Sequence, residues 1–334
     1  MKNETDICGF DRYVLESTGD VTDRSREIEE KLRLYGVCVL GAGDFYVSGV
    51  VMPERTTVMG QGNATRVLLL PEVTDGAAIR IGSFCTVKSM CIAGAETEQE
   101  IPDGIGTRHG LLFLGTATTK DWANQTRNSV IEGCYIHSFS GGGLKCFDTG
   151  YHIRSAFTAS NCHIVRCGAG IYIPHFSEYH EFTNMHCCEN YCGCVNNGGN
   201  NVFLNCGFNG NKIGFLIDNG DGKACNNSHG SAVGCTFNHS DNNEGIGIKI
   251  VGANSGYVFS GGQMFFSKII LENSERIQFT GMNFGRKEEI RISGGSTMMT
   301  SCFFGSPHKV ELSDGAVFRH RDCIDATGED CLIF

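Results

Sequence analysis

The sequence predicts an all-β solenoid in which short strands stack coil upon coil. Three observations lead there. First, one motif occurs twice between Asn200 and Ile250. It reads Val202-Phe203-Leu204-Asn205-Cys206-Gly207-Phe208 then Gly214-Phe215-Leu216-Ile217-Asp218, and again Ala232-Val233-Gly234-Cys235-Thr236-Phe237 then Gly245-Ile246-Gly247-Ile248-Lys249-Ile250. Second, related runs extend from Val130-Ile131 to Val317-Phe318 at intervals of about 20 to 29 residues, the length of one solenoid turn. Third, each run alternates with period two and is rich in Val, Ile and Phe, as in strands buried on one face. Strands this short bury no core singly. Stacked, they share one continuous core and pair with the coils on either side.

Residues 1–36 read as an N-terminal extension and capping helix, 37–325 as the solenoid, and 326–334 as a tail. Thr22-Asp23 can cap a helix whose apolar positions Ile28, Leu32 and Tyr35 form one stripe, with Gly36 as its stop. Val37–Leu40 and Gly41–Val47 follow as strands. Gly60-Gln61-Gly62 lacks the Lys-Ser/Thr of a phosphate loop and no helix follows, so it reads as a turn between coils. Residues 93–127 interrupt the rhythm with a polar, Gly-rich stretch, a strand at Leu111–Leu114, and a loop carrying Trp122, the one tryptophan. Long loops on a regular scaffold often carry function, and Trp122 can stack on a sugar ring. Cys331–Phe334 is apolar and is expected to cover the last coil or meet a neighbouring subunit.

These repeats resemble a right-handed parallel β-helix of the pectin-lyase-like superfamily, whose coils carry I-x-x-N/C-x-I followed by G-I-x-I. The prelude, a helix followed by a V-x-L-x-x-G-x-Y-x-V-like run and G-x-G, resembles the N-terminal cap of many such enzymes and of phage tailspikes. The resemblance covers roughly residues 35–325. It implies fold more than function, since one such scaffold hosts many activities. The signature motifs of polygalacturonases, alginate epimerases and pectate lyases are absent, so no catalytic residue of theirs carries over.

Formal net charge is −10, which argues against a nucleic-acid partner. An acidic surface suits neutral partners such as sugars. The first residues hold no apolar signal segment, so a cytoplasmic location is expected, with a phage virion or non-classical export as alternatives. No run is long enough to span a membrane. The eighteen cysteines read as reduced, buried thiols. Cys162, His186 or Cys187, and Cys206 fall in one repeat column, as do Cys134 and Cys235, which suggests an inward thiol ladder rather than a metal centre. No metal and no cofactor is expected.

The runs opening with Gly form one parallel sheet, with an outward row Lys145, Tyr172, Val195, Leu216, Lys249, Ile270, Arg291, Glu311. The resemblance places the substrate groove along this sheet. Exposed Val195, Leu216 and Ile270 suggest a sugar-stacking strip or a partner surface. Glycoside cleavage usually needs two carboxyls. Asp218, Asp241 and Glu244 are the expected catalytic groups. Tyr172, His175, Glu178, Asp221, His239, Lys249, Arg291 and Trp122 are the expected substrate-binding residues, with His180 on the same rim. The expected function is a glycoside hydrolase or polysaccharide lyase acting on a poly- or oligosaccharide. The alternative is a non-catalytic trimeric β-helix, either a phage tail or spike component or a glycan-binding adhesin. That alternative implies a homo-oligomer, a homotrimer; the sequence itself leaves the oligomeric state open.

Overall fold

The computed structural model describes residues 12–114, 128–146, 153–154, 156–219, 229–240, 245–285, 289–306, 308–325 and 332–333. It is a right-handed parallel β-helix with three sheets along its length. Sheet 1 stacks Val37–Leu40, the start of Thr57–Leu69, the start of Thr86–Ala93, and then Ser129–Glu132, Phe157–Ser160, Glu181–Thr183 and Asn201–Leu204, and continues to Val317–Arg321. Sheet 2 includes Gly43–Val47, Tyr135–His137, His163–Val165 and His186–Cys188. Sheet 3 includes Gly76–Ile81, Arg108–Phe113, Gly142–Lys145, Ala169–Ile173, Cys192–Asn196, Ile213–Asp218 and Ile246–Val251. All the pairings are parallel, so each rung's unpaired backbone groups are met by the next rung.

The corner between sheets 1 and 2 explains the Asn and Gly punctuation. Ser89, Gly133, Asn161, Asn184, Asn205, Gly234, Gly261, Gly281, Ser301 and Asp322 each turn it with φ between +52° and +67°. Asn, Asp and Gly tolerate this left-handed conformation best. The residue after each corner points inward. That column reads Met90, Cys134, Cys162, Met185, Cys206, Cys235, Gly262, Met282, Cys302, Cys323, and each thiol and thioether in it is buried. The predicted ladder therefore exists, with one correction. Met185 occupies the place assigned to His186 or Cys187. His186 lies outside, and Cys187 lies one position further on, facing the lumen.

Beside the sulfur column runs an aromatic one, formed because in-register Phe side chains must share the lumen. Phe182 and Phe203 stack at 4.7 Å and 7°, and Phe259 and Phe279 at 5.1 Å and 12°.

The helix runs Ser25–Tyr35 and packs on the first strands of sheets 1 and 3. Ile28 and Leu32 are buried as expected. Tyr35 is not: it is exposed and meets Tyr13 edge-on at 5.5 Å. The N-cap position is Arg24, not the expected Thr22-Asp23; Asp23, just before it, accepts the Ser25 N–H at 2.9 Å and the Ser48 N–H at 3.1 Å, tying the helix start to the first coil. Glu29 accepts the Val51 N–H at 2.7 Å and so covers an open strand edge. Gly36 ends the helix with φ +73°.

Gly60–Thr65 is a bend inside the strand Thr57–Leu69 that passes from sheet 1 to sheet 2. A Cβ at Gly60 would lie 2.8 Å from the Ser89 carbonyl, so only glycine lets these rungs approach. At the other end, Leu332–Ile333 pairs with His308–Ser313 and extends sheet 3 by a strand.

Candidate functional site

Sheet 3 carries the predicted face. Register links Lys145 to Tyr172, Val195, Leu216, Lys249, Ile270, Arg291 and Glu311 in succession. The same row continues backwards through Leu112, Arg80 and Val51. Side chains far apart in number thus line one track with a step of about 4.8 Å.

The apolar strip differs from expectation. Val195 is only 3% exposed, and Leu216 and Ile270 are half-buried. Ala169, Cys192 and Val195 form a small outer cluster packed under Tyr172, Tyr191, Ile213 and Leu216. Outward residues therefore bury one another here, and this part of the face has an apolar floor. Two lysines frame it. Lys145 Nζ lies 5.5 Å from the Tyr172 ring centre, and Lys212 Nζ lies 5.6 Å from that of Tyr191. Lys212 is also ion-paired with Asp103 at 3.0 Å. Aromatic rings beside cations can take the C–H face of a pyranose together with its polar groups.

Beneath Lys145 lies buried His109, which the sequence reading did not single out. Its Nδ1 accepts the Gly142 N–H at 2.8 Å, and its Nε2 is 3.2 Å from Lys145 Nζ. Burial first, then the neighbouring lysine, push its pKa down to about 4. Neutral, with Nδ1 accepting, it carries its proton on Nε2, the nitrogen that faces Lys145 Nζ.

The predicted rim separates into three groups. Asp218 is exposed at the end of its strand, and its N–H donates to Asn197 Oδ1 at 2.8 Å. His175 is half-buried. Glu178, His180 and His239 are not rim residues. Glu178 is 5% exposed and accepts from Asn200 Nδ2 at 3.4 Å. His180 lies in the lumen with its ring 4.2 Å from that of Phe157, its Nε2 2.8 Å from Ser177 Oγ. His239 is buried against Gly245, where a Cβ would lie 2.0 Å from its ring, and burial pushes its pKa down. These polar residues sit where coil corners turn inward, which alternation along a strand does not reveal. Trp122, Asp221, Asp241 and Glu244 lie outside the described residues.

Further along the same face is a groove of about 510 Å³, lined by Ile270, Glu272, Asn273, Arg291, Ser293, Glu311, Leu312 and Ser313. Arg291 lies between Glu289 and Glu311, the latter at 3.3 Å. Lys309, with Arg291 also contributing, holds the Glu311 carboxyl below its ordinary range, so Glu311 is an ionised partner rather than a proton donor. Glu272 is half-buried and has no ion-pair partner among the described residues. Register places it on the row of Asp218, two rungs on, with Val251 between them. The sequence reading passed over it. The signal was present: Glu272 stands two positions after Ile270, and so on the same face.

Among the described residues, no three His, Cys, Asp or Glu side chains converge as a metal site. Among the described residues, no helix is long and apolar enough to cross a membrane.

No family model matches the chain, and no curated protein does. Solved structures do. The chain is similar to the enzymatically active domain of tailspike protein 2 of bacteriophage CBA120, with a TM-score of 0.56 at 14% identity over 92% of this chain and 45% of that one. It is thus less than half as long as that tailspike chain. It is similar to the A-module of the Azotobacter vinelandii mannuronan C-5 epimerase AlgE6, with a TM-score of 0.63 at 13% identity over 92% of this chain and 97% of that one. It is also similar to the catalytic unit of an α-1,3-glucanase from Streptomyces thermodiastaticus, with a TM-score of 0.63 at 11% identity over 93% and 68%. At such identities the likeness is one of fold.

Proposed function

We propose that the chain is a carbohydrate-active β-helix protein, a glycoside hydrolase whose poly- or oligosaccharide lies along sheet 3. The observation that carries this reading is the shared row of Asp218 and Glu272. Two rungs separate their Cα atoms by roughly 9.6 Å, from where side chains leaning towards each other would bring the carboxyls into the roughly 6.5–9.5 Å that inverting glycosidases use to admit a water. One of the pair would act as acid and the other as base. Asp241 and Glu244, outside the described residues, stay proposed as further catalytic carboxyls. Tyr172, His175, Lys249 and Arg291 are the proposed contacts to the sugar chain, and Trp122 and Asp221, outside the described residues, stay proposed with them. The mannuronan epimerase and the α-1,3-glucanase, both named for glycans, support a glycan as the substrate class.

Elimination is the weaker chemistry. It needs a cation free to neutralise a substrate carboxylate; Arg291 is already paired with Glu289 and Glu311, which leaves that role to Lys249 on this stretch of the row. The second reading, a non-catalytic trimeric spike or adhesin, draws on the burial of Glu178 and His239, which removes two groups from the rim. Incubation with a glycan panel decides between them. New reducing ends indicate hydrolysis, ultraviolet-absorbing unsaturated products indicate elimination, and binding without product indicates the adhesin. If hydrolysis appears and neither Asp218→Asn nor Glu272→Gln slows it at least about 100-fold, the assignment of this pair fails.

A further inference from the structure

We infer that the outer face of sheet 1 is a self-association surface on which two copies of this chain pack face to face with their helix axes antiparallel. The inference stands apart from the reading of sheet 3. One outward row runs in register through Glu181, Val202, Ser231, Val258, Gln278, Met298 and Arg319. The row continues before Glu181 through Thr158 and Val130; Glu181 and Arg319, which bound this stretch, are exposed, and neither has an ion-pair partner among the described residues. Between them no residue of the row is charged.

Polarity along this row is symmetric about Val258, running apolar, polar, apolar, polar, apolar. Charge is opposite at the two ends. A copy rotated by half a turn about an axis along the Val258 strand keeps strand direction and reverses rung order. Val258 then faces Val258, Ser231 faces Gln278, Val202 faces Met298, and Glu181 faces Arg319 at both ends. The second outward row, Thr183, Leu204, Val233, Ser260, Thr280, Thr300 and Arg321, falls on itself with no like charges opposed. The other two-fold arrangement, about the helix axis, keeps rung order and sets Arg319 against Arg321, which opposes it. Leu204, Val233 and Met298 are 37%, 39% and 41% exposed, an apolar surface this pairing covers. A hollow of about 290 Å³ beside Gln278, Met298, Val317 and Arg319 lies where Val202 and Glu181 of the copy would enter.

Six rung intervals and four residues of strand give a footprint of roughly 29 by 13 Å. That is small beside the roughly 800 Å² per partner of a standard interface, so the dimer should dissociate on dilution and weaken with salt.

Sedimentation equilibrium of the full chain, from micromolar to several hundred micromolar at low and high salt, tests this. The expected result is a shift from one to two chains with concentration. Glu181→Arg and Arg319→Glu should each weaken it by about tenfold or more, and the two together should restore it to within about threefold, since opposite charges again face each other. Far-UV circular dichroism checks that the variants fold. A single chain throughout, an assembly of three, single reversals without effect, or a double variant as weak as the singles would each overturn the inference.

Discussion

Phe203 tests the physical basis of the stack. Its ring is fully buried, stacks on Phe182 at 4.7 Å, and meets Phe208 and Phe215 edge-on at 5.8 and 5.4 Å. Its strand is pinned on either side by backbone pairing to Glu181–Thr183 and Gly230–Val233, so the walls of a cavity cannot close in. Phe203→Ala should therefore cost about 4–5 kcal/mol, the upper part of the range for a buried phenylalanine. Phe203→Leu restores most of the volume but no ring face, and should cost about 1–2 kcal/mol. In a solenoid each rung contacts only its neighbours, so the damage should stay local. Urea unfolding measures the cost, and hydrogen exchange locates it. Peptides covering Glu181–Thr183 and Gly230–Val233 should lose protection while Thr57–Leu69 keeps it. A cost for Phe203→Ala below about 1 kcal/mol, or equal loss of protection at both places, would refute the argument.

The neutral His109 makes stability depend on pH. Its folded pKa of about 4 lies below its ordinary 6.5, so the unfolded chain takes the proton first. Its contribution is complete above pH 6.5 and is lost as pH falls towards 4, at most roughly 3 kcal/mol; His109→Gln should flatten this part of the profile in urea titrations at several pH values. Asp23→Ala removes acceptors for Ser25 and Ser48 and should lower stability by about 1–2 kcal/mol, with Asp23→Asn recovering part of it. Burial raises the Asp23 pKa, but hydrogen bonds from Ser48 and Ser25 outweigh it and keep the group ionised. Asn190 is buried, accepting the Cys167 N–H and donating to the Ile164 carbonyl, so Asn190→Leu should cost about 2–4 kcal/mol by calorimetry.

Much of the scaffold was legible because its signals are local and repeat. Alternation with period two gave every outward residue from Lys145 to Glu311, since adjacent rungs repeat the same geometry. The sulfur ladder was legible for the same reason, except at Met185, where the neighbouring His186-Cys187 drew attention to the wrong residue. The candidate site was less legible. Val195 reads as exposed by alternation, yet Tyr172, Tyr191 and Leu216 fold over it. Glu178, His180 and His239 read as rim residues, yet the corners that carry them turn inward, and burial at a corner depends on neighbouring rungs.

What the chain determined by itself is therefore periodic: repeat length, the inward and outward side of each strand, and the left-handed corners that Asn, Asp, Ser and Gly permit. What only the tertiary structure decided is axial. Which rung lies beside which depends on the length of every intervening loop, and those lengths vary without a local rule. Asp218 and Glu272, 54 positions apart in number, meet on one row only because two complete coils intervene. Parallel pairing fixed that alignment, because backbone hydrogen bonds between rungs are satisfied in one register and broken by a slip.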